Sequence, residues 1–144
     1  MGSPGKQGCG GTPVRVAIEV PYRDIDAMGH VNNAVYFSYF EFARQKYWEA
    51  AVGVETYLDI GFVVASASID YRLPAHMGDR LEVEIHCPRT GKSSFDFSYR
   101  ITRGEELVAE GKSAQVLWDW RGGGKRVFSE ELRRKIHAFE EKAP

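Results

Sequence analysis

Val14, Val16, Ile18 and Val20 alternate with Arg15, Ala17 and Glu19 ahead of Pro21. A period of two puts one side of an extended segment on a core and the other in water. The pattern predicts a strand that ends at the proline. The period then changes. The stretch "NAVYFSYFEFARQKYWEAAVG" predicts a helix that begins at an Asn32 or Asn33 cap and stops at Gly53. Tyr36, Phe40, Ala43 and Tyr47 make one stripe, while Val35, Phe37, Tyr39 and Phe42 cover much of the remaining girth. Such a helix has to be wrapped by the rest of the chain. Alternating runs follow at Val63 to Tyr71, Leu81 to Cys87 and Phe95 to Ile101, with a less regular one from Val108 to Trp118. Between them stand the turn signals "PAHMGD", "PRTGK" and "TRGEE". These runs predict four consecutive antiparallel strands joined by short hairpins. With the first strand they form a five-stranded sheet curved around the helix, an α+β fold. "SEELRRKIHAFEEK", acidic at its start and with a lysine at its end, predicts a short C-terminal helix from Ser129.

Composition narrows the possibilities. A chain of 144 residues, 43% hydrophobic and 12% aromatic, suits one domain, assigned to 13–144 after a glycine-rich leader over 1–12 that is expected to be disordered. With 19 basic and 20 acidic residues the net charge of −1 offers no bulk attraction to nucleic acid or to an anionic membrane. An anionic ligand must therefore be met by local cations. Cys9 and Cys87 supply neither a disulfide framework nor a CxxC metal pair. No apolar segment of spanning length or targeting signal stands out, so a cytoplasmic location without membrane partners is expected.

The candidate chemistry lies in "YRDIDAMGHVNNAVYF", on the link between the first strand and the long helix. Asp24 and Asp26 stand just before a helix start whose free N–H groups, around Asn32 and Asn33, can hold a developing oxyanion. Gly29 lets a ligand approach the backbone. A carboxylate beside such amides is sufficient for hydrolysing an acyl compound, by activating water or by direct attack. The alternative is that both acids merely satisfy turn and cap N–H groups. No G-x-S-x-G elbow is present, neither "GKS" belongs to a phosphate-binding loop, and the four histidines show no metal-ligand spacing, so no metal is expected.

The D-x-D-x-x-G-H-V-N-N core within "YRDIDAMGHVNNAVYFSYFEFAR" resembles the signature of the hotdog-fold acyl-CoA thioesterases, in the 4-hydroxybenzoyl-CoA thioesterase-like group that includes long-chain acyl-CoA thioesterases. "SIDYRLPAHMGDRLEVE" and "TGKSSFDFSYRI" resemble strands of that group, and the similarity runs from about Val14 to about Trp120. The resemblance implies a hotdog fold and hydrolysis of acyl-CoA, with fatty-acyl chains favoured and no cofactor. It implies Asp26 as catalytic base or nucleophile and the Asn33 backbone N–H as the group that polarises the thioester carbonyl. Gly29, His30, Asn32 and Tyr36 would border the substrate, His30 and Asn32 mainly by shaping the loop and Tyr36 by packing, while Asp24 would fix the loop. Candidates for the coenzyme A phosphates are Arg89 and Lys92 with Arg121, Lys125 and Arg126, the alternative being ordinary solvated loop charges, and Ser93 and Ser94 would either hydrogen-bond the pantetheine or merely start a strand. The acyl tunnel is expected along Tyr39, Phe40, Phe62 and Val64. A homodimer is implied, with a homotetramer as the larger alternative. Two other functions fit the same features: a thioesterase for acyl carrier protein, and a hotdog domain that binds acyl thioesters or fatty acids without turning them over.

Overall fold

The computed structural model describes residues 14–53 and 60–141. The leader assigned to residues 1–12 lies outside the described residues. Strand β1 spans Val14–Glu19, helix α1 Val35–Val52, β2 Phe62–Tyr71, β3 Arg80–Thr90, β4 Ser94–Arg103, β5 Glu106–Leu117 and helix α2 Glu130–Glu140. The strands form one antiparallel sheet in the order β1-β3-β4-β5-β2. α1 lies on its inner face, and α2 starts where Ser129 Oγ accepts from the Leu132 N–H at 3.0 Å. The α+β architecture is the expected one.

Two expectations about β2 need correction. β3–β4 and β4–β5 are hairpins, but β2 pairs with β5 at the far edge of the sheet. A period of two shows which face a residue takes and not which strand lies beside it. "PAHMGD" is accordingly no hairpin turn. It closes on the end of β1: the Val20 N–H donates to the Asp79 carbonyl and the Gly78 N–H to that of Val20, each at 2.9 Å, with Gly78 at φ 85°. The facing pattern also differs. A bulge between Val64 and Ser66 shifts the register, so the positions opposite inward-facing Leu117, Gln115, Ser113 and Gly111 are Phe62, Val64, Ala67 and Ile69. The alternation Val63, Ala65, Ala67 is one residue out of phase before the bulge and correct after it.

The core explains how the sheet seats the helix. Phe40, Ala43, Tyr47 and Trp48 are fully buried against Phe95, Phe97, Tyr99 and Ile101. The Phe40 ring stacks on Tyr99 with centroids 3.9 Å apart and planes 8° from parallel. This contact needs a glycine beneath it: a Cβ on Gly111 would lie 2.8 Å from the Phe40 ring and 2.5 Å from the Ser68 carbonyl oxygen. Burial is incomplete on the β2 side, where Phe37, Phe42 and Val64 are 38%, 39% and 43% exposed. At the other end Glu140 of α2 is buried and accepts from the Tyr47 hydroxyl at 2.5 Å and the Cys87 N–H at 2.8 Å. That N–H falls where the β3–β4 register breaks between His86 and Arg89, so the sheet gives it no partner and the carboxylate does. Burial pushes the Cys87 thiol up to about 12 and drives the Tyr47 hydroxyl well above the usual phenol range.

Gly111→Ala should lower stability by about 1–3 kcal/mol, since both the ring and the carbonyl would have to move. Urea unfolding measures it, and an unchanged midpoint would show that the helix does not depend on this close approach.

Candidate active site

Pro21 leads into a 3-10 turn over Tyr22–Asp24, and Ile25 pairs back with Val31. Between these lies a tight loop. The Asp26 N–H donates to the His30 carbonyl and the Gly29 N–H to the Asp26 carbonyl, each at 3.0 Å. Gly29 closes the turn at φ 86°, a conformation that side-chain-bearing residues avoid. The loop is anchored from outside as well. Asp24 accepts from the Tyr39 hydroxyl at 2.7 Å through Oδ2 and from the Asn32 N–H at 2.9 Å through its carbonyl, while the Val31 N–H donates to the Ala75 carbonyl at 2.8 Å. Asp24 is thus a structural acid.

Asp26 is half-buried and differently placed. Its Oδ1 accepts from the Met28 N–H at 2.9 Å and its Oδ2 from Asn32 Nδ2 at 3.4 Å. Both donors are neutral, and no Lys, Arg or His forms an ion pair with Asp26 among the described residues. Asn32 connects this carboxylate to the helix start, because its Oδ1 accepts from the Ala34 N–H at 2.9 Å. The helix proper begins at Val35 after Ala34, so Asn32 caps it from two residues upstream and neither asparagine occupies the N-cap position itself. The Asn33 N–H has no acceptor among the described residues. The Asn33 carbonyl accepts from the Tyr71 hydroxyl at 2.7 Å, so the Asn33–Ala34 peptide is held from both sides and the orientation of Asn33 is restricted.

His30, Asn33 and Tyr36 line one cavity of about 310 Å³ together with Tyr71, Arg72 and Leu73. Asp26, Gly29 and Asn32 form the loop beside it. Tyr36 is buried and packs edge-to-face on Tyr71 at 5.2 Å and on Tyr39 at 5.8 Å. His30 meets His76 edge-on at 5.2 Å. Sequence reasoning missed Tyr71 and Arg72 as members of this site. Strand periodicity puts Tyr71 on the helix-facing side, yet only the pairing of β2 with β5 carries it to the helix start. Arg72 is paired with Glu110 at 2.7 Å.

The residues expected to meet coenzyme A lie elsewhere. Arg89, Lys92 and Ser93 sit at the β3–β4 hairpin, whereas the Asp26 loop is bonded to Ala75, ahead of the opposite end of β3. At about 3.3 Å per residue the strand separates them by roughly 30 Å. One chain does not bring the two sets together. Arg89 is also committed to Asp96, from Nε to Oδ2 at 2.8 Å and from Nη2 to Oδ1 at 3.2 Å, and to Ser94 Oγ at 3.2 Å. Its bonds to Asp96 raise the Arg89 pKa further. Lys92 is exposed and has no ion pair among the described residues. The Ser93 carbonyl accepts from the Leu117 N–H at 2.8 Å. Exposed Arg121, Lys125 and Arg126 belong to a loop whose Arg121 and Gly122 N–H groups donate to Asp119 Oδ1, each at 3.0 Å. Tyr39 and Phe40 are core residues, while Phe62 and Val64 line a second cavity beside the later turns of α1. No cluster of three or more His, Cys, Asp or Glu side chains suited to a metal occurs among the described residues.

Comparison with known proteins identifies the family and the fold. The family model described as the thioesterase-like superfamily matches residues 20–136. The 1,4-dihydroxy-2-naphthoyl-CoA hydrolase of Synechococcus elongatus is 31% identical over 123 residues, covering 79% of this chain and 88% of that protein. The acyl-CoA thioester hydrolase YbgC of Escherichia coli is 30% identical over 112 residues, covering 74% and 80% respectively. The crystal structure of a thioesterase from Thermus thermophilus, complexed with coenzyme A and zinc, superposes with a TM-score of 0.81 at 36% identity, covering 93% of this chain and 98% of that one.

Asn32→Ala removes both the cap on Ala34 and the donor to Asp26, and should lower stability by about 1 kcal/mol. Asn32→Asp keeps an acceptor for the cap while setting a second carboxylate against Asp26. Thermal unfolding of the two variants separates these effects, and equal losses in both would show that the cap is not what Asn32 contributes.

Proposed function

Because the chain belongs to the thioesterase-like superfamily, we propose that it hydrolyses acyl-CoA thioesters to the free acid and coenzyme A. What supports the mechanism is that Asp26, a carboxylate without a cationic partner among the described residues, is tied through Asn32 to the start of α1, where the Asn33 N–H has no acceptor among the described residues. The thioester carbonyl oxygen accepts from this N–H, where the positive end of the helix dipole also stabilises the oxyanion. Asp26 takes a proton from water as the water attacks the carbonyl carbon, or attacks that carbon itself and forms an anhydride that water then opens. In either route the tetrahedral intermediate collapses with the electron pair of the C–S bond leaving on the thiolate. A thiolate is a far weaker base than an alkoxide, so its departure needs no dedicated acid.

Asn32 orients the carboxylate, Gly29 and His30 shape the loop, and Tyr36 supports the cavity from beneath. Tyr71 holds the Asn33 carbonyl, in the peptide next to the one that carries the Asn33 N–H. Fatty-acyl groups are the preferred substrates and the cytosol the expected compartment. Among the described residues no helix is long and apolar enough to cross a membrane.

The active unit is a homodimer. β2 is an edge strand with unpaired backbone groups, and Phe37, Phe42 and Val64 stand exposed beside it. A second copy added along this edge would cover them. It would also resolve the separation of roughly 30 Å along β3, because Lys92, with Ser93 and Arg89 near it, would serve the partner's Asp26 loop and not its own.

Asp26→Asn should reduce turnover by about 10²–10⁴-fold with unfolding unchanged, measured as thiol release from a panel of acyl-CoAs. Full activity in this variant would remove Asp26 from the mechanism. Lys92→Ala should raise KM with little change in kcat, and Arg89→Ala should do less because its guanidinium is already held by Asp96. Refolding Asp26→Asn chains together with Lys92→Ala chains should restore sites of wild-type KM, since each mixed dimer contains one site with both residues intact. Absence of such recovery would return Lys92 to its own chain's surface.

A further inference from the structure

The segment 72–79, which joins β2 to β3, is neither helix nor strand and yet meets the Asp26 loop twice. The Ala75 carbonyl accepts from the Val31 N–H at 2.8 Å, and the His76 ring stands edge-on to His30 at 5.2 Å. Both contacts come from one dipeptide. The peptide between Ala75 and His76 is trans, so its C=O and N–H point in opposite directions. Its carbonyl faces the loop, and its N–H donates to Asp79 Oδ2 at 2.9 Å. The same oxygen accepts from Arg103 Nη1 at 2.7 Å, and that nitrogen also donates to the Pro74 carbonyl at 3.0 Å. Arg103 is the last residue of β4, and its Nε donates to Glu106 Oε1 at 2.9 Å. A continuous series thus runs from guanidinium to carboxylate to peptide to the Val31 N–H. Burial opposes the charge on Asp79, but the His76 N–H and the Arg103 guanidinium outweigh it and hold its pKa below the usual carboxylate range. The pair is therefore ionised at neutral pH.

We propose that Arg103 and Asp79 are positioning residues for the reaction, acting on the Asp26 loop through the Ala75–His76 peptide. This rests on the thioesterase reading above. Val31 is where the series enters the loop. It pairs with Ile25 to close the loop, and the next residue is Asn32, which holds both Asp26 and the Ala34 N–H. A rotation of the Ala75–His76 peptide would release Val31 and let that closure relax. Pro74 has no N–H to donate, so the bond from Arg103 to its carbonyl is its one hydrogen bond among the described residues. The guanidinium therefore grips the segment on both sides of the dipeptide that touches the loop. As an ion pair in partial contact with water, Arg103 and Asp79 add little to global stability. Their effect is on geometry, where a displacement of about 1 Å at a reacting group costs up to about 10²-fold in rate.

Arg103→Met keeps the aliphatic stem and loses the bonds to Asp79 and Pro74. Thiol release from acyl-CoA should then show kcat lower by about tenfold with KM within about twofold of wild type, since the loop and not the binding surface is disturbed. Arg103→Lys, whose ammonium can still meet Asp79, should recover most of that loss. Arg15→Met is the control: it removes exposed ion pairs with Glu82 and Glu84 and should leave kcat unchanged. Amide hydrogen exchange reads the link directly. In Arg103→Met the Val31 N–H should exchange about tenfold faster while the amides of β4 keep their wild-type rates. An unchanged kcat in Arg103→Met, an equal loss in Arg15→Met, or a Val31 rate that moves only together with those of β4 overturns the proposal. Should Arg103→Met not fold, Asp79→Asn, of nearly the same size, should show the same two changes at smaller amplitude, and wild-type values of both overturn the proposal as well. If no acyl-CoA is hydrolysed by the wild-type protein, the thioesterase reading fails, and the Val31 exchange rate still decides whether Arg103 governs the loop.

Discussion

Everything in this molecule depends on how closely α1 can approach the sheet. Phe40 lies flat on Tyr99 above Gly111, a strand position that leaves no room for a methyl group. With the helix seated at that depth, its start comes level with the end of β2. Tyr71 then reaches the Asn33 carbonyl, and the Tyr39 hydroxyl reaches Asp24 in the preceding loop. The positions of Asp26 and the Asn33 N–H follow from packing in the buried core. Glycine within a strand is ordinarily unfavourable, and here the missing side chain is compensated by an aromatic stack.

Most of the architecture was legible in the sequence because alternation reports burial directly. β3 and β4 alternate without a break through their central residues, and the segments predicted for them are strands in the structure. The failures occur where a local pattern has no information about neighbours. β2 is the second strand in sequence and an outer one in space, and a bulge shifts its phase midway. A non-local partner and an inserted residue are both invisible to a period of two.

The candidate site divides along the same line. Asp26, Gly29, His30, Asn32 and Asn33 are close in sequence, and a short loop before a helix keeps them close in space. Tyr71 joins them only through the sheet order, so its residue type carried no signal. Arg89 was read as a free cation because an arginine in a turn is ordinarily solvated; its cross-strand partner Asp96 could have been suspected from hairpin geometry. Arg44 drew no attention at all, since a lone arginine on a helix looks like surface. Its Nη1 nevertheless donates to the hydroxyl of buried Tyr99 at 3.0 Å.

The sheet order also bears on how the chain reaches this structure. The β3–β4 and β4–β5 hairpins join strands that follow one another directly, whereas both outer strands close long loops: Arg15 meets Glu82 at a separation of 67 residues and Arg72 meets Glu110 at 38. Contacts of long sequence separation carry the larger entropic cost of loop closure and tend to form after local ones. The central meander is thus the natural nucleus, and β1 and β2 dock onto it afterwards. The Asp26 loop follows β1, and its helix end is held by Tyr71 at the end of β2, so it is ordered only when both late strands are in place. Catalytic competence is therefore the last property acquired in folding and, by microscopic reversibility, the first surrendered when the protein begins to open.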